Sequence, residues 1–424
     1  MTTVLFAQLS FDFMAGVNDF LRVVQTHWAF CLLHFLEFAI WGAWYVVLGN
    51  FLSSRGFSRV EIGRIYGTVP LGSIISPMFV GILADKYVNT EILIGVLHLA
   101  GGALLFLMAT SSRPRRFYWL CFLYALCFAP TLSLVNSIIF THDADLFAGK
   151  AGNEFPWIRV FGTLGWICAG LSHRFLLTEG KPVNERPIQL AAVLSLALGA
   201  FAFFLPATPP KLSGADPFAW LNDASTLIQS MPVFLLVTLI ISIAMAVYFA
   251  FAALFLEKSG VKPHNVGPVM TIGQMIEIFF MLALPYFLGP NNEHMFLVLA
   301  IGVAAWALRF GLFAIGKPMA LPLLGVALHG ICFDFFFATG FIFIAKNAPQ
   351  GMDASAQSLF GVLAYGLGMY IGTEGSGWLN TMFSRTTTNA DGKEDVTTNW
   401  RGFWTVFCVM VSLALIGFIV SGGK

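Results

Sequence analysis

Six charged residues lie within long apolar stretches of the sequence: Glu37, Arg159, Glu277, Arg309, Asp334 and Glu374. A charge in apolar surroundings costs roughly a few kcal/mol, and it is retained mostly where it faces a cavity or an opposite charge. With His34, His98 and His329 as titratable companions, these side chains are the candidates for binding a polar solute or a proton.

Gln274 and Glu277 are three residues apart, so both side chains lie on one face of a helix and are predicted to line one cavity. Asp334 lies within the aromatic run Phe333 to Phe337. Aromatic walls would exclude water from this carboxyl group, which makes it a candidate for loading and releasing a proton. The alternative for Asp334 is a structural ion pair with a basic residue on a neighbouring helix.

Arg159, Thr163 and Trp166 are spaced by four and three residues, so a guanidinium, a hydroxyl and an indole line up on one helical face. That set suits a polar ligand with a flat ring. The alternative is that Arg159, only about 6 Å into its helix at 1.5 Å per residue, extends its side chain to the lipid–water boundary.

Glu37 lies one turn from His34 and from Trp41, which fits either a buried packing pair or a role in proton coupling. For Arg309 and Glu374, nearer the ends of their stretches, anchoring at the membrane surface is favoured. His98 is expected to be an ordinary core histidine. The cluster at 141–145, THDAD, is too short to indicate a metal site, so neither a metal ion nor a cofactor is predicted.

The composition places these residues in a lipid-embedded protein. Of 424 residues, 58% are hydrophobic and 11% charged, against roughly 25% charged residues in a soluble domain. The net charge of +1 gives no field for gathering nucleic acid. The six cysteines show no metal-ligand spacing and are predicted to be buried. The sequence has no nucleophile elbow, P-loop or HExxH motif, so an enzyme or an ATP-driven pump is disfavoured.

Uncharged runs of about 20 residues predict twelve membrane-spanning helices. Six precede a Pro-containing polar stretch and six follow it, which predicts two six-helix halves at 1–206 and 232–424, joined by a linker at 207–231. The spans are expected near 29–49, 65–84, 92–110, 117–140, 155–177, 187–206, 232–256, 267–288, 295–316, 321–345, 354–380 and 402–420.

The distribution of Lys and Arg does not show simply which side of the membrane the N-terminus lies on. With the N-terminus inside the cell, the outer connections would hold about fifteen Lys and Arg and the inner ones about six, the reverse of the positive-inside rule. The turn with Arg113, Arg115 and Arg116 is a large part of this excess.

Several ordered segments resemble the nucleoside:proton symporters of the major facilitator superfamily: EFAIWGAWYVVLG at 37–49, GILADK at 81–86, PTLSLVNSI at 130–138, FPWIRVFGTLGW at 155–166, GQMIE at 273–277, AWALRFGLFAIG at 305–316 and FDFFFATG at 333–340. The resemblance implies an all-α membrane protein with twelve helices in two pseudo-symmetric halves, an inside N-terminus and alternating access. It also implies a multi-pass monomer in the bacterial inner membrane, whose partners are the lipid bilayer, a nucleoside and protons.

Site residues follow from the same resemblance. Arg159 and Thr163 would touch the substrate, with Trp166 where a phenylalanine is usual. Gln274 and Glu277 would hydrogen-bond the ribose, the base would lie against Trp166 and Phe333, and His329 and Asp334 would complete the substrate-binding set. Asp334 is the leading proton-coupling residue, with Glu277 and Glu37 as further candidates. His329 and Glu37 stand where the family has tyrosine and glutamine. Ala246 and Phe249 replace a glutamine and an asparagine that contact the nucleoside.

The sequence therefore predicts a proton-coupled nucleoside importer, with the ligand between the halves. Because two polar contacts are lost at Ala246 and Phe249, a proton-coupled carrier of another polyol, such as a sugar or a modified nucleoside, is the alternative. An intramembrane enzyme or sensor using Glu37, His329 and Asp334 is the rival from another class, and no nucleophile or metal motif accompanies it.

Overall fold

A computed structural model describes residues 21–146, 155–210, 219–289, 292–350, 352–388 and 394–423. After a short helical stretch at 21–26, the described residues of the first half form seven helices. They are α1 (Trp28–Trp44), α2 (Leu48–Ser54), α3 (Arg59–Lys86), α4 (Thr90–Ala109), α5 (Pro114–Leu146), α6 (Phe155–Leu176) and α7 (Arg186–Ala202).

The second half begins after α8 (Ala219–Ser230). It contains α9 (Pro232–Lys258), α10 (Pro263–Leu288), α11 (Met295–Ile315), α12 (Ala320–Ala327), α13 (His329–Phe333), α14 (Thr339–Asn347), α15 (Asp353–Gly361), α16 (Gly368–Met382) and α17 (Trp400–Val420). Two π-helical turns, Asp334–Ala338 and Val362–Leu367, link α13 to α14 and α15 to α16.

Local sequence sets several helix ends. Ser58 and Glu61 form a capping box at the start of α3, in which each side chain accepts a hydrogen bond from the other residue's backbone N–H. Proline stands in the first turn of α7, α9 and α10, where a missing N–H costs nothing. Gly316, with φ of +71°, ends α11 in a left-handed conformation.

Within the described residues, seven helical segments are long and apolar enough to cross a bilayer, and the pair Ala320–Ala327 and His329–Ile344, bent by 40°, would make an eighth. The remaining predicted spans also coincide with helices, namely α3, α6, α7 and the run from α15 to α16. The described residues thus contain a helical segment at each of the twelve predicted spans, whereas the count of twelve crossings stays a prediction.

Three details differ from the sequence-based expectation. The polar linker contains helix α8, and its Asp223 accepts a 2.6 Å hydrogen bond from Ser355 of α15. A two-stranded antiparallel hairpin, β1 (Ser384–Thr388) with β2 (Glu394–Thr398), joins α16 to α17. Of the six cysteines, Cys31, Cys121 and Cys332 are buried as predicted, whereas Cys127 and Cys408 are part-buried and Cys168 is exposed.

The two halves meet at one end of the bundle, here called the joined end. Its described connections are 55–58, 110–113, 177–185, 259–262, 316–319, 383–388 and 394–399. Glycines allow close approach there: a Cβ on Gly63 of α3 would lie 3.0 Å from the Cα of Gly377 in α16, and a Cβ on Gly267 of α10 would lie 2.8 Å from the carbonyl oxygen of Gly170 in α6.

Polar contacts also cross between the halves at the joined end. Asn50 donates hydrogen bonds to the Ala253 carbonyl at 3.2 Å and to Glu257 at 2.5 Å. The further pairs are Lys262–Glu179 at 2.5 Å, Arg64–Glu374 at 3.7 Å and Arg174–Asn265 at 3.4 Å.

Candidate substrate site between the two halves

Arg159 of α6 faces the second half of the protein. Its guanidinium lies 4.2 Å from the centre of the Phe38 ring on α1, a cation–π contact. The Glu277 carboxylate of α10 is close enough to interact with it electrostatically. This position argues against the alternative that Arg159 only extends to the lipid–water boundary, and it places a cation at the interface of the halves.

Thr163 and Trp166 follow Arg159 on α6, but they are more enclosed, with exposed fractions of 7% and 8%. The Trp166 ring packs edge-on against Trp41 of α1, with centroids 5.5 Å apart. Trp41 is the more exposed of the two indoles. Trp41 was predicted only as a neighbour of Glu37, within the segment EFAIWGAWYVVLG at 37–49.

Gln274 and Glu277 come together with His329 because α10 and α13 approach closely. A Cβ on Gly330 would lie 2.8 Å from the Glu277 backbone, and one on Gly273 would lie 2.7 Å from the Cβ of His329. The Glu277 carboxylate lies 3.5 Å from His329 Nε2. Gln274 Oε1 is buried and accepts no hydrogen bond within the described part of the chain, so the protein leaves this amide oxygen unsatisfied.

Asp334 opens the π-helical turn after α13 and is only 2% exposed. Its Oδ2 has no hydrogen-bond partner among the described residues, and no described basic side chain forms an ion pair with Asp334. The alternative of a structural salt bridge is therefore wrong for the described residues. The π turn is held by Thr339, whose hydroxyl donates to the Asp334 carbonyl at 3.2 Å.

An aromatic chain crosses between the halves beside these polar groups. It runs from the end of α1 to α9 and then along the bent helix, with ring centroids separated by 6.0 Å for Tyr45–Phe249, 6.4 Å for Phe249–His329, 5.6 Å for His329–Phe333, 5.3 Å for Phe333–Phe337 and 5.8 Å for Phe337–Tyr365. Such a wall suits the face of a planar ring.

Tyr365, in the second π turn, lies beside the candidate site and was not predicted from the sequence. Its phenol interacts electrostatically with Arg159, Glu277 and Asp334, so it lies among the three charged candidates. The available signal was weak, because a tyrosine in an apolar stretch is common. Only the packing of its turn against Phe337 shows which way it faces.

Glu37 has a different environment from the one predicted. It is fully buried, and its partners are His98 Nε2 at 2.8 Å and the Thr131 hydroxyl at 2.7 Å, rather than His34. Ser195 lies 3.2 Å from the other His98 nitrogen. The partners come from α4, α5 and α7, which helical spacing along α1 cannot reveal. These bonds favour a packing role, while proton coupling through Glu37 stays a prediction.

Arg309 does not extend to the membrane surface. It is 0% exposed, and its guanidinium lies between Tyr248 and Trp306, 4.2 and 4.6 Å from their ring centres. Its Nε donates to the Gly325 carbonyl at 3.0 Å. The anchoring prediction was wrong for Arg309 because two aromatic faces replace water around the cation. Glu374 matches the prediction better, since it is part-exposed beside Arg64 at the joined end.

No group of three or more His, Cys, Asp and Glu within the described ranges could hold a metal ion. In the THDAD cluster, the His142 ring lies 2.9 Å from the Thr208 hydroxyl. The side chains of Asp143 and Asp145 lie outside the described residues.

Comparison with known proteins finds relatives over nearly the whole chain. The profile of the nucleoside H⁺ symporter family matches residues 24–421. A putative nucleoside transporter, YegT of Escherichia coli (strain K12), is 35% identical over 400 residues, which cover 91% of each chain. The xanthosine permease of the same organism is 30% identical over 394 residues, covering 89% of this chain and 91% of the relative.

Solved structures agree with these relatives. The crystal structure of the nucleoside transporter NupG matches with a TM-score of 0.79 at 26% identity, covering 92% of this chain and 98% of that one. The D-xylose–proton symporter, at 12% identity and a TM-score of 0.67, shares the fold.

Proposed function

The chain belongs to the nucleoside H⁺ symporter family, and on that premise we propose how its residues bind the nucleoside and the proton. It is a multi-pass transporter of the bacterial inner membrane with the major facilitator fold, which carries nucleosides together with protons and is not an enzyme. The two halves, 1–206 and 232–424, would rock about the site as a monomer, with 207–231 as the cytoplasmic linker.

In this proposal the ribose hydroxyls bind Gln274 and Glu277, and the base lies against Trp166, Trp41 and Phe333. Arg159 and Thr163 supply polar contacts from the first half. The support is that polar groups from both halves meet beside one aromatic chain, and that the Gln274 carbonyl oxygen lacks a protein partner. A ligand that fills these hydrogen bonds ties the halves together, so its binding depends on their relative position.

Asp334 is the proposed proton site, assisted by Glu277 or His329. The observation that carries this proposal is its buried, unpartnered Oδ2. An unpaired charge at this depth is costly, whereas a protonated carboxyl is tolerated. Glu277 interacts electrostatically with Asp334, and Phe333 adjoins it in sequence. Proton and nucleoside sites this close can share a coupling free energy, which uphill transport requires.

We propose that the choice of base differs from that of family members whose seventh membrane span, which corresponds to α9 here, presents a glutamine and an asparagine to the nucleoside. Ala246 is fully buried and Phe249 joins the aromatic chain, so α9 offers ring contact rather than hydrogen bonds. Tyr365 would supply a hydroxyl from the opposite side. The alternative substrate, another polyol such as a sugar or a modified nucleoside, rests on the same two residues.

The test is uptake of labelled uridine and adenosine into proteoliposomes, with and without an inward proton gradient. Wild-type protein should concentrate nucleoside only with the gradient. Asp334→Asn should lose accumulation but keep nucleoside exchange at equal concentrations, and Glu185→Gln, the same chemical change at the surface, should behave as wild type. An Asp334→Asn protein that still concentrates nucleoside rules out this proton site. No uptake of either nucleoside by folded wild-type protein would favour the polyol alternative.

A further inference from the structure

Three arginines at the beginning of α5 have no explanation in the transport site. Arg113, Arg115 and Arg116 are all exposed. No acidic side chain among the described residues forms an ion pair with any of them. They lie at the joined end, which is the outer side if the N-terminus is inside, and so they contribute to the charge excess on the side where the positive-inside rule expects few basic residues.

The three arginines lie at one end of an apolar groove. A depression of about 450 Å³ is lined by Arg113, Arg115, Arg116, Trp119, Leu120 and Leu123. Arg116, Trp119, Leu120 and Leu123 follow the spacing of one helical face. Trp119 is 53% exposed and Leu123 is 47% exposed. The guanidinium groups therefore lie at the membrane-surface end of an apolar strip. This strip runs about 10 Å along α5, toward the interior of the bilayer.

A second cavity, of about 480 Å³, adjoins this groove and shares Arg115 with it. It lies between α3, α5 and α16, and it offers Arg64, Tyr118, Tyr370 and Glu374 as hydrogen-bonding groups. A headgroup larger than a bare phosphate has polar partners there. Because α3 and α16 belong to different halves, this cavity sits on the seam between them.

We propose that this groove, the α5 arginine groove, binds an anionic phospholipid. The phosphate would bind Arg113, Arg115 and Arg116, the headgroup would reach the cavity beside Tyr118, and one acyl chain would lie along Trp119, Leu120 and Leu123. Charge complementarity selects an anionic headgroup, and the apolar strip selects a lipid over a free anion. A lipid bound here would also compensate locally for basic residues on the outer side.

The test uses delipidated protein in detergent, titrated with phosphatidylglycerol or phosphatidylcholine whose acyl chains are brominated to quench indole fluorescence. The signal of Trp119 is the difference between wild type and Trp119→Phe. We expect saturable quenching of Trp119 by phosphatidylglycerol at concentrations at least about ten-fold lower than for phosphatidylcholine, and no displacement by millimolar sodium phosphate.

Two matched triple variants show which positive charges contribute to phosphatidylglycerol binding. Arg113→Gln with Arg115→Gln and Arg116→Gln should weaken phosphatidylglycerol binding roughly a hundred-fold, or about five-fold for each arginine. Lys181→Gln with Lys258→Gln and Lys317→Gln removes the same charge at the same end and should change it less than about two-fold. Equal binding of both lipids, displacement by phosphate, or equal effects of the two triples would overturn the proposal. An unchanged thermal midpoint verifies that each variant is folded.

Discussion

Glu37 in α1 and Asp334 in the first π turn are both carboxylic acids within apolar helices, with exposed fractions of 0% and 2%. Both oxygens of Glu37 have partners, His98 and Thr131, from two other helices of the same half. Oδ2 of Asp334 has none among the described residues. Two groups of the same chemistry and burial thus differ in whether the protein itself satisfies them.

This difference separates structure from transport. A buried polar group with all its bonds made rigidifies the helices that supply its partners. A buried group left unsatisfied costs free energy of folding, and it persists where a ligand or a proton completes it. We therefore expect the surroundings of Glu37 to be a fixed part of the first half, and the surroundings of Asp334 to change when the proposed proton binds.

The largest effect that separates the two acids is expected on stability. Glu37→Ala removes the hydrogen-bond partner that His98 and Thr131 share, and a buried polar group left without its partner costs about 1–3 kcal/mol of unfolding free energy. Asp334→Asn breaks no bond of the Oδ2 atom and should leave the thermal midpoint in detergent unchanged. Glu37→Gln, which keeps an acceptor for Thr131, should fall between them. A larger loss for Asp334→Asn than for Glu37→Ala would reverse the assignment.

The next effect is expected on ligand affinity. Glu277→Gln replaces a carboxyl hydrogen-bond partner in the proposed substrate site, and losing a buried hydrogen-bond partner costs about 1–3 kcal/mol, which corresponds to nucleoside binding weaker by roughly thirty-fold. Glu37→Gln, the same change in the first half, should leave the dissociation constant within about two-fold. Isothermal titration of purified protein measures both. Equal weakening would place Glu37 in the binding site as well.

A smaller change is expected at Tyr365. Removing one neutral hydroxyl costs about 1 kcal/mol, so Tyr365→Phe should raise the KM for nucleoside about five-fold without abolishing gradient-driven uptake. Tyr118→Phe, the same substitution beside the α5 arginine groove, is the control and should transport as wild type. An unchanged KM for Tyr365→Phe would remove this tyrosine from the substrate site.

The smallest effect is expected for an exposed acid. The Lys262 ammonium, 2.5 Å away, lowers the pKa of Glu179 below its usual 4.5. A depressed pKa in the folded protein adds stability above the unfolded pKa, and this is lost as pH falls through the folded value. Lys262→Gln should therefore return the Glu179 pKa toward 4.5, measured by NMR of labelled glutamate, and leave uptake at neutral pH within about two-fold. A strong uptake defect would assign this ion pair a role in joining the halves.

Periodicity and composition predicted the helical segments well, because each apolar run must satisfy its backbone within one helix. Gln274 and Glu277 were also predictable as a pair, since three residues of spacing puts them on one face. The partner of Glu37 was not, because the sequence shows His34 one turn away but not His98 on another helix. The prediction for Arg309 was wrong for a similar reason, because its aromatic neighbours Tyr248 and Trp306 lie on two different helices and spacing along one helix does not show both.

The residues around Asp334 show what a local sequence pattern can predict and what it cannot. The run Phe333 to Phe337 indicated a dry carboxyl group, and the structure agrees. It did not indicate that the helix would change to a π turn there, nor that Tyr365 would sit in a second π turn nearby. These depend on how two helices pack, which no local pattern encodes.

The two π turns also bear on the mechanical properties of the protein. A stretch of π-helix replaces the regular ladder of backbone hydrogen bonds with longer, less uniform ones, and in the first turn a side-chain hydroxyl, that of Thr339, takes one backbone carbonyl. Both helices therefore leave the regular α-helical pattern where they pass Asp334 and Tyr365. A change of helix geometry at either turn would also move one of these two side chains, so helix shape and the proposed proton site depend on the same few residues.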